Sequence, residues 1–155
     1  MVETVEERLK ALGLELPEAP QPLANYLPNL VSGDLLFISG QISKAADGTV
    51  ITGNMGSGLT IEVGQFAAQQ CALSILAQAK AALGSLDRIE RVVRLTGFVA
   101  STPDFRDHPK VIDGASDLLV AVLGDAGRHT RAAVGVASLP FGAAVEIDAI
   151  MKVRA

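Results

Sequence analysis

Arg131-Ala-Ala-Val-Gly-Val-Ala-Ser-Leu-Pro140-Phe-Gly-Ala-Ala-Val-Glu146-Ile-Asp148-Ala-Ile150 reads as two strands around one tight turn. In the second strand, residues 143–153, Val145, Ile147, Ala149 and Met151 alternate with Glu146 and Asp148. That is the two-residue period of a strand with one apolar face and one polar face. In the first strand, residues 130–138, Arg131 alternates with Ala133, Gly135 and Ala137. An arginine that shares its face only with small residues predicts a shallow floor with room for a ligand. The spacing equally allows Arg131 and Glu146 to be an ion pair at the edge of a sheet.

Upstream, Thr60 is placed to cap a long helix running to about Leu83, with Phe66, Leu73, Leu76 and Leu83 on a seven-residue repeat and Gly84 as its stop. Ile89 to Ala100 reads as a strand, and Thr102-Pro103-Asp104 and His108-Pro109 signal a second helix running towards Leu123. Leu30-Val31, the turn Ser32-Gly33-Asp34 and Leu35 to Ile42 form a hairpin, and Asp47-Gly48 turns the chain into a further strand over residues 49–52. Residues 2–12 predict a short helix with Val5, Leu9 and Leu12 on one face. Pro17, Pro20 and Pro22 then impose an extended connector, because proline fixes φ and biases its predecessor away from the helix region.

The expected architecture is α+β: one mixed β-sheet with two helices packed on one face, in a single domain over residues 1–155 whose first 24 residues are helix and connector. Apolar residues run almost without alternation through residues 35–42 and 91–100. Such strands are covered on both faces, and two helices cover only one. A homo-oligomer is the expectation, because an apolar face of that size is rarely left open.

Composition narrows the function. With 49% apolar and only 4% aromatic residues, the core must be built from thin aliphatic side chains. A net charge of −4 and a pI near 5.1 argue against nucleic acid as a partner, since that affinity comes from clustered Lys and Arg. The single cysteine, Cys71, sits in an apolar helical pattern and is read as core, and one cysteine excludes an intrachain disulfide. No window predicts a signal peptide or a membrane span, so a cytoplasmic location is expected, with no metal site. The glycine-rich run Gly53-Asn54-Met55-Gly56-Ser57-Gly58 lacks the lysine of a phosphate loop and is read as a flexible rim of a cleft. His129 is a candidate pocket residue, while His108 fits a helix cap or a solvent position.

The run Arg131-Ala-Ala-Val, then Leu139-Pro140, then Val145-Glu146-Ile147 resembles the C-terminal signature of the Rid (reactive intermediate deaminase), YjgF-like or endoribonuclease L-PSP family. Tyr26, the strand end Ile38-Ser39-Gly40-Gln41-Ile42 and Asp47-Gly48 resemble its N-terminal part. The resemblance implies a chorismate-mutase-like fold, a trimer whose sheets form a central barrel, and clefts at subunit boundaries. It implies hydrolysis of reactive 2-imino acids and their enamine tautomers to 2-oxo acids and ammonia, without cofactors. In those roles Arg131 clamps the substrate carboxylate, Glu146 activates water, Tyr26 closes the cleft, and the Ser39-Gly40 backbone binds the substrate. A non-catalytic protein holding a small carboxylate or another metabolite in the same cleft is the alternative. Ala133, Arg128-His129-Thr130 and Asp113-Gly114 stand where the familiar deaminases carry other residues, which marks a divergent branch with an altered pocket.

Overall fold

Thr60 Oγ accepts from the Val63 amide and Gly84 turns into the left-handed region at φ 81°, so both ends of the long helix are fixed by local chemistry. The computed structural model describes residues 2–22 and 24–155. In chain order its elements are α1 (Val5–Ala11), β1 (Asn29–Ser32), β2 (Leu35–Ile42), β3 (Asn54–Met55), β4 (Gly58–Leu59), α2 (Ile61–Leu83), β5 (Ile89–Ala100), α3 (His108–Leu123), β6 (Thr130–Val136) and β7 (Val145–Val153). Five strands form one mixed sheet in the order β1-β2-β7-β5-β6. Within that sheet only β5 and β6 run parallel, and α3 is the crossover between them; β3 and β4 make a separate short parallel pair.

The helices cover one face of this sheet. Leu36, Val92, Leu95, Ile147 and Met151 are fully buried beneath them. Along α2, Ala67, Ala68, Cys71, Ala72, Ile75, Leu76 and Ala79 are inaccessible, so this helix is enclosed on most sides. Small side chains let elements approach closely. A Cβ on Gly114 of α3 would collide with the Gln65 backbone carbonyl of α2, and one on Gly97 of β5 would meet Ile112 of α3. Burial pushes the Cys71 thiol far up from its ordinary pKa, so it is an inert core residue, as its apolar surroundings predicted.

The other face is open in the single chain. Leu30, Phe37, Val93 and Val134 are exposed large hydrophobics, and the register puts Leu30, Phe37 and Val134 on the side away from the helices. No helix among the described residues is long and apolar enough to cross a membrane.

Four local expectations need correction. The first helix starts at Val5, because Thr4 and Glu7 form a reciprocal capping box, and Leu12 ends up half exposed beyond its last turn. No strand forms over residues 49–52; Val50 and Thr52 make isolated bridges to Lys44 and Ala143 because the Asp47-Gly48 turn leaves arms too short for a ladder. The glycine-rich run is no rim: it holds β3 and β4, and Met55 within it is buried in the core. His108 begins α3 without capping it; its ring packs edge-on to Phe105, and Nε2 lies 3.2 Å from Ser101 Oγ.

Candidate functional site

β2 and β7 are antiparallel neighbours, but two residues of β2, Ser39 and Gly40, lie opposite one register step of β7. Such a bulge redirects the chain, and it frequently stands beside a site. Ser39 turns its amide to the Pro28 carbonyl (3.0 Å) and its hydroxyl to the Leu27 carbonyl (2.7 Å). Its amide is therefore already paired within the chain. A Cβ on Gly40 would land on the Glu146 carboxylate, so glycine here leaves that carboxylate its present place.

Glu146 projects into a cavity of about 490 Å³, with Tyr26, Ser39, Gly40, Lys44 and Phe141 on its walls. Four of the five residues expected in a site thus meet in one cavity. The far wall is the proline connector, through Pro20 and Pro22. Gln78, a fully buried amide in the apolar helix α2, anchors it: Nε2 donates to the Pro20 carbonyl, and Oε1 accepts from Asn29 Nδ2 at 2.9 Å. Gln78, Phe141 and the connector were not foreseen as part of the site. A polar residue inside an Ala-rich helix was the one available signal.

The Glu146 carboxylate has no hydrogen bond or ion pair among the described residues. Burial, and then the nearby charge of Asp148, hold its pKa above the ordinary carboxylate value. A free carboxylate with a raised pKa is a competent proton acceptor.

Phe141 is the one described non-glycine residue at positive φ, 60°, and it is 70% exposed on the cavity's edge. The left-handed region costs an L-residue about 1–2 kcal/mol, so strain is stored in a wall of the site. Phe141→Gly should relieve it, less the ~0.4–1 kcal/mol that glycine adds in unfolded-chain entropy. The expected result is a melting temperature unchanged or slightly raised, together with weaker ligand binding because the wall is gone. A thermal melt showing a clear loss of stability would contradict the strain argument.

Arg131 is not in this cavity. It pairs with Leu95 of β5, which faces the helices, whereas Glu146 pairs with Phe98, three positions on and therefore on the opposite face. The guanidinium lies against α3: Nη1 donates to Ser116 Oγ (3.0 Å), Nη2 donates to the Pro109 carbonyl (3.2 Å) and pairs with Asp113 at 2.8 Å. One reading of the strand is corrected: Arg131 and Glu146 of one chain cannot form an ion pair, because they stand on opposite sheet faces and Arg131 pairs with Asp113. The small-residue floor stays partly open, with Ala133 half-buried and Gly135 exposed beside the His108 ring and Ser101 Oγ. No group of three or more potential metal ligands is found among the described residues.

A family model described as "YjgF/chorismate mutase-like, putative endoribonuclease" matches residues 6–148. The chain belongs to the YjgF family. It is 49% identical to protein TCP17 of Trypanosoma cruzi over 151 residues, covering 97% of this chain and 94% of the relative. The crystal structure of Atu1372 from Agrobacterium tumefaciens is 50% identical, covers 98% of this chain and 94% of its own, and superposes with a TM-score of 0.90. RidA from a Psychrobacter species is more distant, at 26% identity and a TM-score of 0.62, with 88% of this chain and 94% of RidA covered. This YjgF-family chain therefore shares its fold in detail with Atu1372 and more loosely with RidA, in keeping with a divergent branch.

Proposed function

We propose that this protein hydrolyses reactive 2-imino acids and their enamine tautomers to 2-oxo acids and ammonia, in clefts between the subunits of a cytoplasmic homotrimer. The observation that carries the reading is the unpaired Glu146 carboxylate, with its raised pKa, facing Tyr26 and the Gly40 bulge in one cavity. Glu146 takes a proton from water as oxygen attacks the imine carbon and the C=N π pair moves onto nitrogen, then returns that proton to nitrogen; the carbinolamine hydroxyl passes its own proton to nitrogen by way of Glu146 as C=O forms, and the C–N bond breaks to release ammonia. Tyr26 closes over the substrate and the Gly40 backbone binds it.

Arg131 clamps the carboxylate in this reading, with a planar two-point grip that lysine lacks. Because Arg131 and Glu146 of one chain occupy opposite sheet faces, a shared substrate requires them to come from different copies. The exposed apolar residues Leu30, Phe37 and Val134 supply a face on which copies can meet. Light scattering at low micromolar concentration should give about three times the chain mass of 16.1 kDa; a monomer would remove the cleft from the argument.

The activity test adds the protein to an enzymatic source of 2-aminoacrylate and follows pyruvate. Faster 2-oxo acid formation is expected, and none above the spontaneous rate would overturn the assignment. In the same protein, Arg131→Lys should weaken binding of pyruvate or 2-oxobutyrate by about 1.5–3 kcal/mol, the scale of a charge-assisted hydrogen bond. Titration calorimetry with equal affinities for both proteins would exclude the clamp.

A further inference from the structure

On the helix side of β6, across the sheet from the Glu146 cavity of the same chain, a second group of reactive side chains surrounds Arg131, the residue that the proposed function gives to a cleft shared with another copy. His129 Nδ1 lies 2.6 Å from the Gly127 carbonyl, and His129 Nε2 lies 2.9 Å from Ser116 Oγ. A carbonyl only accepts, so Nδ1 carries the proton, and whenever the ring is neutral Nε2 presents a lone pair. Arg131 Nη1 donates to the same Ser116 Oγ at 3.0 Å, and a guanidinium cannot accept. The hydroxyl proton of Ser116 therefore points at His129.

This is the arrangement of an activated nucleophile: a hydroxyl within hydrogen-bond reach of a base, the base oriented by a third group. The adjacent guanidinium, itself paired with Asp113 at 2.8 Å, donates to the same oxygen and so favours the alkoxide. The group is not sealed in the core. Ser116, His129 and Arg131 line an open hollow of about 650 Å³, with Val120 and Ala121 as an apolar wall and Arg128 at its side. The Arg128 guanidinium has no hydrogen bond or ion pair among the described residues, so it is available to a developing oxyanion.

We propose that Ser116 and His129 form a nucleophilic dyad that hydrolyses small carboxylic esters with short acyl chains. Ser116 Oγ bonds to the carbonyl carbon while its proton passes to His129 Nε2 and the C=O π pair moves onto oxygen beside Arg128. Collapse of the tetrahedral adduct breaks the bond to the alcohol oxygen, which leaves with the proton from His129. Water then attacks the acyl-serine, giving a proton to His129; the ester bond to Oγ breaks, the proton returns to Oγ, and the carboxylic acid departs. The acyl chain rests on Val120 and Ala121, one turn along α3 from Ser116.

The test treats the whole protein with p-nitrophenyl acetate and, separately, with a fluorophosphonate, and maps the adduct by peptide mass. One adduct per chain on Ser116 is expected, absent in Ser116→Ala. His129→Gln, checked for native circular dichroism, should slow both acylation and phosphonylation by about 10²-fold or more, the usual contribution of a positioned base. An unlabelled Ser116 in the wild-type protein, or a His129→Gln variant labelled at the wild-type rate, overturns the proposal. The probes contain no imine, so failure here is separate from failure of the deaminase reading.

Discussion

Glu146→Gln should lower imine hydrolysis by about 10²- to 10⁴-fold, the range that a positioned proton acceptor contributes. The amide keeps the size of the side chain and its place over Gly40, so the cavity should still bind a 2-oxo acid. Single-turnover rates of pyruvate formation beside binding affinity would separate the two effects, and an unchanged rate would exclude Glu146 as the base. Stability should move the other way. Glu146 has a folded-state pKa above its unfolded value, so the folded chain holds its proton more tightly. Stability is then lost as pH rises from the unfolded pKa through the folded one. The Gln variant, which has nothing to ionise, should be more stable than wild type at pH 7, and that advantage should vanish below about pH 4, where both forms are neutral. Denaturant melts at the two pH values check the sign.

Gly114→Ala should destabilise the fold although it adds a single methyl group. On propensity alone, alanine in the middle of α3 ought to stabilise the helix by about 1 kcal/mol. Here the new Cβ would meet the Gln65 carbonyl oxygen, carbon and Cα, which are backbone atoms of α2 and cannot swing aside. The two helices must separate, and Ala67, Ala68, Val111, Ile112 and Ala115 lie among the buried residues that would loosen with them. Overpacking of this kind costs about 1–3 kcal/mol, occasionally more. At about 2–4 °C per kcal/mol for a domain of this size, the expected fall in Tm is several degrees. A Tm equal to or above wild type would show that the α2–α3 contact relaxes freely. The same helix carries Asp113 and Ser116 to Arg131, so a shift of α3 should also disturb the guanidinium.

Much of the fold follows from local chemistry. Thr60 and Gly84 bracket α2 because a side-chain cap and a left-handed glycine act within one turn. The alternation Val145, Ile147, Ala149, Met151 against Glu146 and Asp148 orients β7, since strand period is a property of the backbone. The residues meeting at the Glu146 cavity, Tyr26, Ser39 and Gly40, were named through the family resemblance, and no residue period links them to Glu146. Which face of the sheet the helices cover is a long-range matter. Arg131 lies on the covered side only because β6 pairs in parallel with β5 at Leu95, and no pattern within residues 130–138 encodes that register. The partners of Arg131 came from α3, the Pro20–Pro22 wall came from a connector tied down by Gln78, and Ser116 met His129 across the α3–β6 crossover. Sequence by itself determined the two long helices, the long strands and their periods; packing decided the short strands β3 and β4 and which polar groups became neighbours, because helical and strand periods specify directions within an element and carry no information about what stands opposite.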